Sequence, residues 1–126
     1  MSSCFSLTGS SDDSLLVSGH YDGSLKFWSS KSDKPNSVID LHNDKITYIE
    51  LIKNENQILT CSKDFSIKSF DLRKMETLYT IGSDNLKNYC ESGITVSTDK
   101  KYFTVGSTKG EIYIFDVQTG KVFLFT

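Results

Sequence analysis

His42, Thr60 and Asp64 bring an imidazole, a hydroxyl and a carboxylate into one short stretch of chain. A base that takes a proton from a hydroxyl, oriented by a carboxylate, turns Ser or Thr into a nucleophile. A hydrolase built on Thr60, His42 and Asp64 is therefore one reading of these residues. Other chemistry is less well supported. The loop Gly106-Ser107-Thr108-Lys109-Gly110 lacks the GxxxxGK[ST] spacing and leads into a strand, so no helix N-terminus faces an anion. Cys4, Cys61 and Cys90 form no CxxC pair, and an odd trio makes no disulfide framework. His20, alone in the tight turn before Asp22, reads as a surface or turn residue rather than a metal ligand. No metal and no cofactor is expected. Asp12-Asp13, Arg73-Lys74 and Lys100-Lys101 read as solvated turn charges.

The elements that must position these residues are strands. Eight Phe, six Tyr and one Trp, with no alanine, favour pleated structure over helix. At 126 residues, 37% hydrophobic and 24% charged, the chain has the composition of a globular domain with a real core. Its 14 basic and 16 acidic residues are interspersed, which leaves no electrostatic footprint for nucleic acid. No apolar run approaches the roughly 20 residues that cross a bilayer. The N-terminus lacks the basic start and apolar core of a secretory signal, so a reducing cytoplasm is the expected home.

The sequence repeats itself. LLVSGHYDGSLKFW, QILTCSKDFSIKSFD and YFTVGSTKGEIYIFD align so that Trp28 recurs as Phe70 after 42 positions and as Phe115 after a further 45. Asp22 recurs as Asp64 at the same offset of 42, and Lys109 fills the third slot. Each copy reads as four short strands: residues 4–7, 15–18, 25–28 and 38–41; 46–51, 58–61, 67–70 and 78–81; 94–96, 102–105, 112–115 and 122–125. Gly, Asp and Pro stand between them, as in Tyr21-Asp22-Gly23-Ser24, Asp33-Lys34-Pro35-Asn36 and Thr119-Gly120, where tight turns need them. Ile112-Tyr113-Ile114-Phe115, apolar or aromatic throughout, predicts a strand covered on both faces by neighbouring sheets.

A strand ending in an aromatic and Asp, after a Ser-Gly-x-x-Asp turn, at this period, resembles the WD40 family. The likeness covers essentially the whole chain, though only Phe70-Asp71 and Phe115-Asp116 keep the Asp and Trp28 is followed by Ser29. The resemblance implies an all-β fold of three four-stranded β-propeller blades, at about residues 1–41, 42–81 and 82–126. SGHYDGSLKFW, LTCSKDFSIKSFDLR and GSTKGEIYIFDVQTGKV, in that order, are similar to consecutive blades in the C-terminal propeller of the autophagy-related protein sixteen-like family. The polar connection at residues 82–93 falls where that family also lengthens its loop.

The WD40 resemblance gives His42, Thr60 and Asp64 a second reading, as a buried hydrogen-bonded chain tying the loop before one strand to the turn after another. In the family a Trp donates to this chain; Phe70 stands in its place. The first blade keeps Ser18, Asp22 and Trp28 but has no upstream His, and the third has Val105 and Lys109 in the corresponding slots. The loops expected on one rim carry His20, Tyr21, Asn43, Asp44, Lys45, Lys63, Phe65, Leu86, Tyr89 and Lys109, candidates for partner binding.

Propellers have four to eight blades, so three leave two sheet faces open. The chain is expected either to be an excerpt of a longer propeller or to pair head-to-tail with a second copy around a two-fold axis. The resemblance implies a non-enzymatic protein-interaction scaffold in autophagosome formation, cytoplasmic and peripheral to autophagosomal membranes. The family's coiled-coil and conjugate-binding segments have no counterpart in these residues, so their activities do not carry over. The alternative is a WD40 adaptor in ubiquitin ligation, trafficking or RNA processing.

Overall fold

Strands of a few residues separated by turns can hide their apolar side chains only by pairing into sheets and stacking those sheets. The computed structural model, which describes residues 4–9, 15–29, 33–52, 56–82, 94–106 and 110–125, has this architecture. Its first sheet is β1 (Cys4–Gly9), β2 (Leu15–His20), β3 (Ser24–Ser29) and β4 (Ser37–Asp40). The second is β5 (Ile46–Ile52), β6 (Gln57–Ser62), β7 (Ser66–Asp71) and β8 (Glu76–Gly82). The third is β9 (Thr95–Val96), β10 (Tyr102–Gly106), β11 (Ile112–Asp116) and β12 (Val122–Phe125). Each is an antiparallel meander in chain order. No helix among the described residues is long and apolar enough to cross a membrane.

Two apolar layers join the sheets. Val17, Leu25 and Phe27 of the first sheet pack with Ile46, Ile49, Ile58 and Phe70 of the second. The rings of Phe27 and Phe70 lie 5.8 Å apart. Ile52, Leu59, Cys61 and Ile67, on the other face of the second sheet, meet Ile94, Phe103, Val105, Phe115 and Val117. Alternation along β6 therefore sends successive side chains to opposite neighbours, and all six residues are buried. A polar latch reinforces the second layer: the Val117 carbonyl accepts from Gln57 Nε2 at 2.9 Å and from the Tyr79 hydroxyl at 2.7 Å.

The third sheet departs from expectation. Phe115 is buried, but Ile112 at the head of β11 is 49% exposed. The all-apolar run predicted cover on both faces; among the described residues only the face carrying Tyr113 and Phe115 is covered, by the second sheet.

The turns between the second and third strands of each unit share a left-handed residue. Gly23 has φ 85°, Gly110 φ 81° and, in the equivalent place, Phe65 φ 69°. A Cβ on Gly23 would stand 2.1 Å from the His42 carbonyl oxygen, while one on Gly110 meets nothing within 4 Å. Gly110→Ala therefore adds backbone strain alone, about 1 kcal/mol. Gly23→Ala adds a clash with fixed main chain and is expected to cost at least 2 kcal/mol more, roughly the scale of an overpacked core. Denaturant unfolding of the two variants side by side checks this difference.

Candidate functional site

The tight turn Asp64-Phe65-Ser66 and the connection preceding β5 meet at one edge of the second sheet. Two hydrogen bonds fix the Asp64 side chain from its own turn, as the Ser66 amide (3.0 Å) and the Ser66 hydroxyl donate to Oδ1. Its other oxygen faces the connection, accepting from the Asn43 amide at 3.0 Å and from His42 Nδ1 at 3.0 Å. Nδ1 also lies 3.1 Å from the Ser66 hydroxyl. Across the ring, Nε2 is 2.7 Å from Thr60 Oγ1. Because a carboxylate only accepts, Nδ1 carries the proton, and the bare Nε2 accepts a hydrogen bond from the Thr60 hydroxyl, whose oxygen also lies 3.3 Å from the Lys68 carbonyl. The ammonium of Lys68 closes the group by donating to the Leu41 carbonyl at 2.6 Å.

Thr60, His42 and Asp64 thus stand in the order of a nucleophilic relay, with relay distances. Their surroundings do not suit one. Thr60 is 0% exposed and the His42 side chain likewise, so no substrate reaches the hydroxyl. The arrangement satisfies buried polar groups and ties the entry of β5 to the β6–β7 turn.

Burial holds the His42 imidazole below its ordinary range, outweighing the opposing attraction of Asp64; the Lys68 charge acts in the same direction as burial. Burial alone would push the Asp64 carboxyl up, but donors from Ser66, the Asn43 amide and His42 outweigh it and hold the carboxyl below the usual range.

The first sheet answers the same need differently. Trp28 Nε1 donates to Ser18 Oγ at 2.9 Å, and Ser18 Oγ lies 2.7 Å from His20 Nε2. His20, expected as a surface or turn residue and as part of the rim, is instead the last residue of β2 and only 5% exposed. Residues i and i+2 of a strand share a face, so His20 reaches Ser18 from within its own strand. Asp22 holds its turn as Asp64 does, accepting from the Ser24 amide at 2.9 Å and the Ser24 hydroxyl at 2.6 Å. In the third sheet Val105 occupies the Thr60 slot as a buried apolar residue.

Of the remaining rim residues, Tyr21 is 47% and Phe65 41% exposed, Asn43, Asp44 and Lys63 are exposed, and Lys45 is half-buried. They gather at one edge: the Lys45 ammonium lies 5.1 Å from the Tyr21 ring centre, and the Lys63 amide donates to the Lys45 carbonyl at 3.1 Å. Leu86, Tyr89 and Lys109 lie outside the described residues. Sequence reasoning missed Ser66, Lys68, Gln57 and Tyr79. Only Ser66 carried a signal, the recurrence of Asp22-x-Ser24 as Asp64-x-Ser66. Among the described residues no cluster of three His, Cys, Asp or Glu side chains could hold a metal.

The family model described as "WD domain, G-beta repeat" matches residues 2–29 and 33–71. The chain is 34% identical over 113 residues to Protein Atg16l2 of Mus musculus, covering 87% of this chain and 18% of that protein. It is 31% identical over 124 residues to Autophagy-related protein 16 of Arabidopsis thaliana, covering 96% and 24% respectively. It therefore spans less than a quarter of the length of these relatives. The Cps50 (Swd1) β-propeller domain of Myceliophteria thermophila superimposes with a TM-score of 0.84 at 14% identity, over 99% of this chain and 43% of that one.

The polar group has a pH signature. An imidazole titrating at its ordinary 6.5 in the unfolded chain, but lower when folded, takes up its proton first in the unfolded state. Stability from His42 is thus full above that value and declines as pH falls through the window beneath it. Asp64, ordinarily 3.8 and lower when folded, adds a further decline in more acidic solution. The denaturant midpoint is expected to fall between about pH 7.5 and about pH 5.5, and His42→Asn to remove that part of the slope. At the upper pH His42→Ala is expected to cost about 1–3 kcal/mol through its unpaired partners. A flat profile in the wild-type chain contradicts the assignment.

Proposed function

The chain belongs to the WD40 repeat family, and we propose that it serves as a non-catalytic protein-interaction scaffold in autophagosome formation. Stacked four-stranded sheets hold short turns at fixed spacing along an edge, which suits the presentation of side chains to a partner. The similarity to Protein Atg16l2 and to Autophagy-related protein 16 over most of this chain favours the autophagy pathway. On this reading the chain works in the cytoplasm, peripheral to forming autophagosomal membranes, with proteins rather than nucleic acid as partners. The platform is complete once further sheets cover the open faces of the first and third sheets.

Phe65 carries the interaction reading. A bulky residue at φ 69° is strained, and two of the three equivalent turns avoid the strain with Gly. The phenyl ring wins no deep burial in return, being 41% exposed. A ring held outward at a conformational cost, beside Tyr21, Lys45 and Lys63 on the same edge, has the character of an interface anchor.

Phe65→Gly tests this by separating binding from folding. Stability is expected to stay within about 1 kcal/mol of the parent, since strain relief and lost contacts oppose one another. Affinity capture with the wild-type chain is expected to enrich autophagy conjugation proteins, and with Phe65→Gly to lose at least about tenfold of that signal, the weight of one hot-spot side chain. Enrichment of ubiquitin-ligase, trafficking or RNA-processing subunits instead points to the adaptor reading. Equal capture by both chains removes Phe65 from the interface.

A further inference from the structure

We propose that the junction of the first and second sheets, at the edge opposite Phe65, binds a tyrosine side chain of a partner protein. Ser37, Leu72 and Met75 border the ring, and the Leu72 carbonyl accepts from its hydroxyl. The inference compares the two sheet junctions inside the chain and is independent of the pathway the scaffold serves. At the repeat offsets of 42 and 45, Ser37 is equivalent to Tyr79, Leu72 to Val117 and Met75 to Gly120. The backbone agrees. Ser37 pairs with Phe27 as Tyr79 pairs with Ser69. The Leu72 and Val117 amides donate to the Asn56 and Lys101 carbonyls at 2.8 and 2.9 Å. The Met75 and Gly120 amides donate to the Asp71 and Asp116 carbonyls, both at 2.8 Å.

The junction of the second and third sheets shows what such a groove accepts. There Tyr79 packs against the buried layer and donates its hydroxyl across to the Val117 carbonyl at 2.7 Å. Gln57 donates to the same carbonyl at 2.9 Å, and Val117 is left only 1% exposed. Gly120 makes room for the ring, since a Cβ there would stand 2.4 Å from it. The junction of the first and second sheets has the small Ser37 at the Tyr79 position, and at the Gln57 position Leu15, which has no side-chain donor. Among the described residues no donor reaches the Leu72 carbonyl. Leu72 packs against the first buried layer yet is only half-buried, where Val117 is sealed. Met75 shares the left-handed backbone of Gly120, at φ 56° against 73°, which aims its side chain toward the Ser37 position. It remains 37% exposed, and an unbranched thioether meets a ring edge favourably. A half-buried apolar residue, a carbonyl with no donor and a small residue where the other junction has a ring together fit one ligand chemistry. That chemistry is a phenol, its ring for the apolar wall and its hydroxyl for the carbonyl.

Nuclear magnetic resonance of the full 126-residue chain, titrated with N-acetyl-tyrosinamide, provides the test. Saturable shifts are expected at the Ser37, Leu72 and Met75 amides. N-acetyl-phenylalaninamide is expected to bind at least about fivefold more weakly, for want of the hydroxyl. No saturable shift at these amides, or equal binding of the two compounds, overturns the proposal. Ser37→Tyr combined with Met75→Gly copies the Tyr79 and Gly120 pair into this junction. The double variant is expected to unfold at higher denaturant than Met75→Gly alone and to lose tyrosinamide binding, because its own ring covers the Leu72 carbonyl. A midpoint no higher than that of Met75→Gly, or binding that persists in the folded double variant, overturns the site. Tyrosinamide binding is expected to survive Phe65→Gly; its loss there places the ring at the opposite edge and overturns the site as well.

Discussion

A small twisted sheet has two faces, and in this chain both faces of every sheet carry apolar side chains. That demand for cover on two sides organises the molecule. The second sheet meets it fully, because its residues alternate between Ile58 and Phe70 on one side and Leu59, Cys61 and Ile67 on the other. The first and third sheets meet it on one side only. With each buried aliphatic side chain contributing roughly 1.5–3 kcal/mol, the two layers supply the main cohesive force, and the second sheet takes part in both.

Polar contacts add direction to that stacking. Interdigitated apolar side chains hold the layers together, and directional hydrogen bonds add a further constraint on their register. Gln57 and Tyr79 converge on one carbonyl, that of Val117, and so pin the end of β11 to the second sheet. On the other side, Lys68 reaches the Leu41 carbonyl and His42 joins the β5 entry to the β6–β7 turn. Gly23 completes this junction, since its amide hydrogen and carbonyl bond to His20 and to Leu41 and His42 respectively. The edge bearing Tyr21, Lys45 and Phe65 thus rests on a braced polar layer.

The sequence was most legible where the determinants are local. Twelve strands and their order follow from short apolar runs and from turn residues, and the structure lengthens most of them by one or two residues while shifting their centres by no more than one. The WD40 resemblance also picks out His42, Thr60 and Asp64 as a group, although the repeat offset relates only Thr60 and Asp64 to residues of the first copy. What escaped depends on contacts distant in the chain or on the absence of a neighbour. Nothing in Ile112-Tyr113-Ile114-Phe115 reveals that one face lacks a covering sheet. Gly19-His20-Tyr21-Asp22 resembles turn chemistry and so points His20 to a turn, whereas β2 runs on through His20. Phe65 stands out in the sequence as an apolar residue in a turn, but its left-handed backbone is visible only in the structure, where it matches Gly23 and Gly110.

The three copies of one slot explain why a relay geometry here has no need of catalysis. Ser18, Thr60 and Val105 are equivalent, and all are buried. A hydroxyl in that slot must be partnered, because an unpaired buried polar group costs more than a hydrogen bond returns. Thr60 finds its partner in an imidazole from the preceding connection, and Ser18 finds partners in His20 and Trp28. Val105 requires none and packs with Phe103 and Phe115. Replacing hydroxyl and partner together by apolar groups is nearly neutral, whereas removing one alone is not. The histidine therefore accompanies the hydroxyl in two copies and is unnecessary in the third, a pattern that follows from polar satisfaction alone.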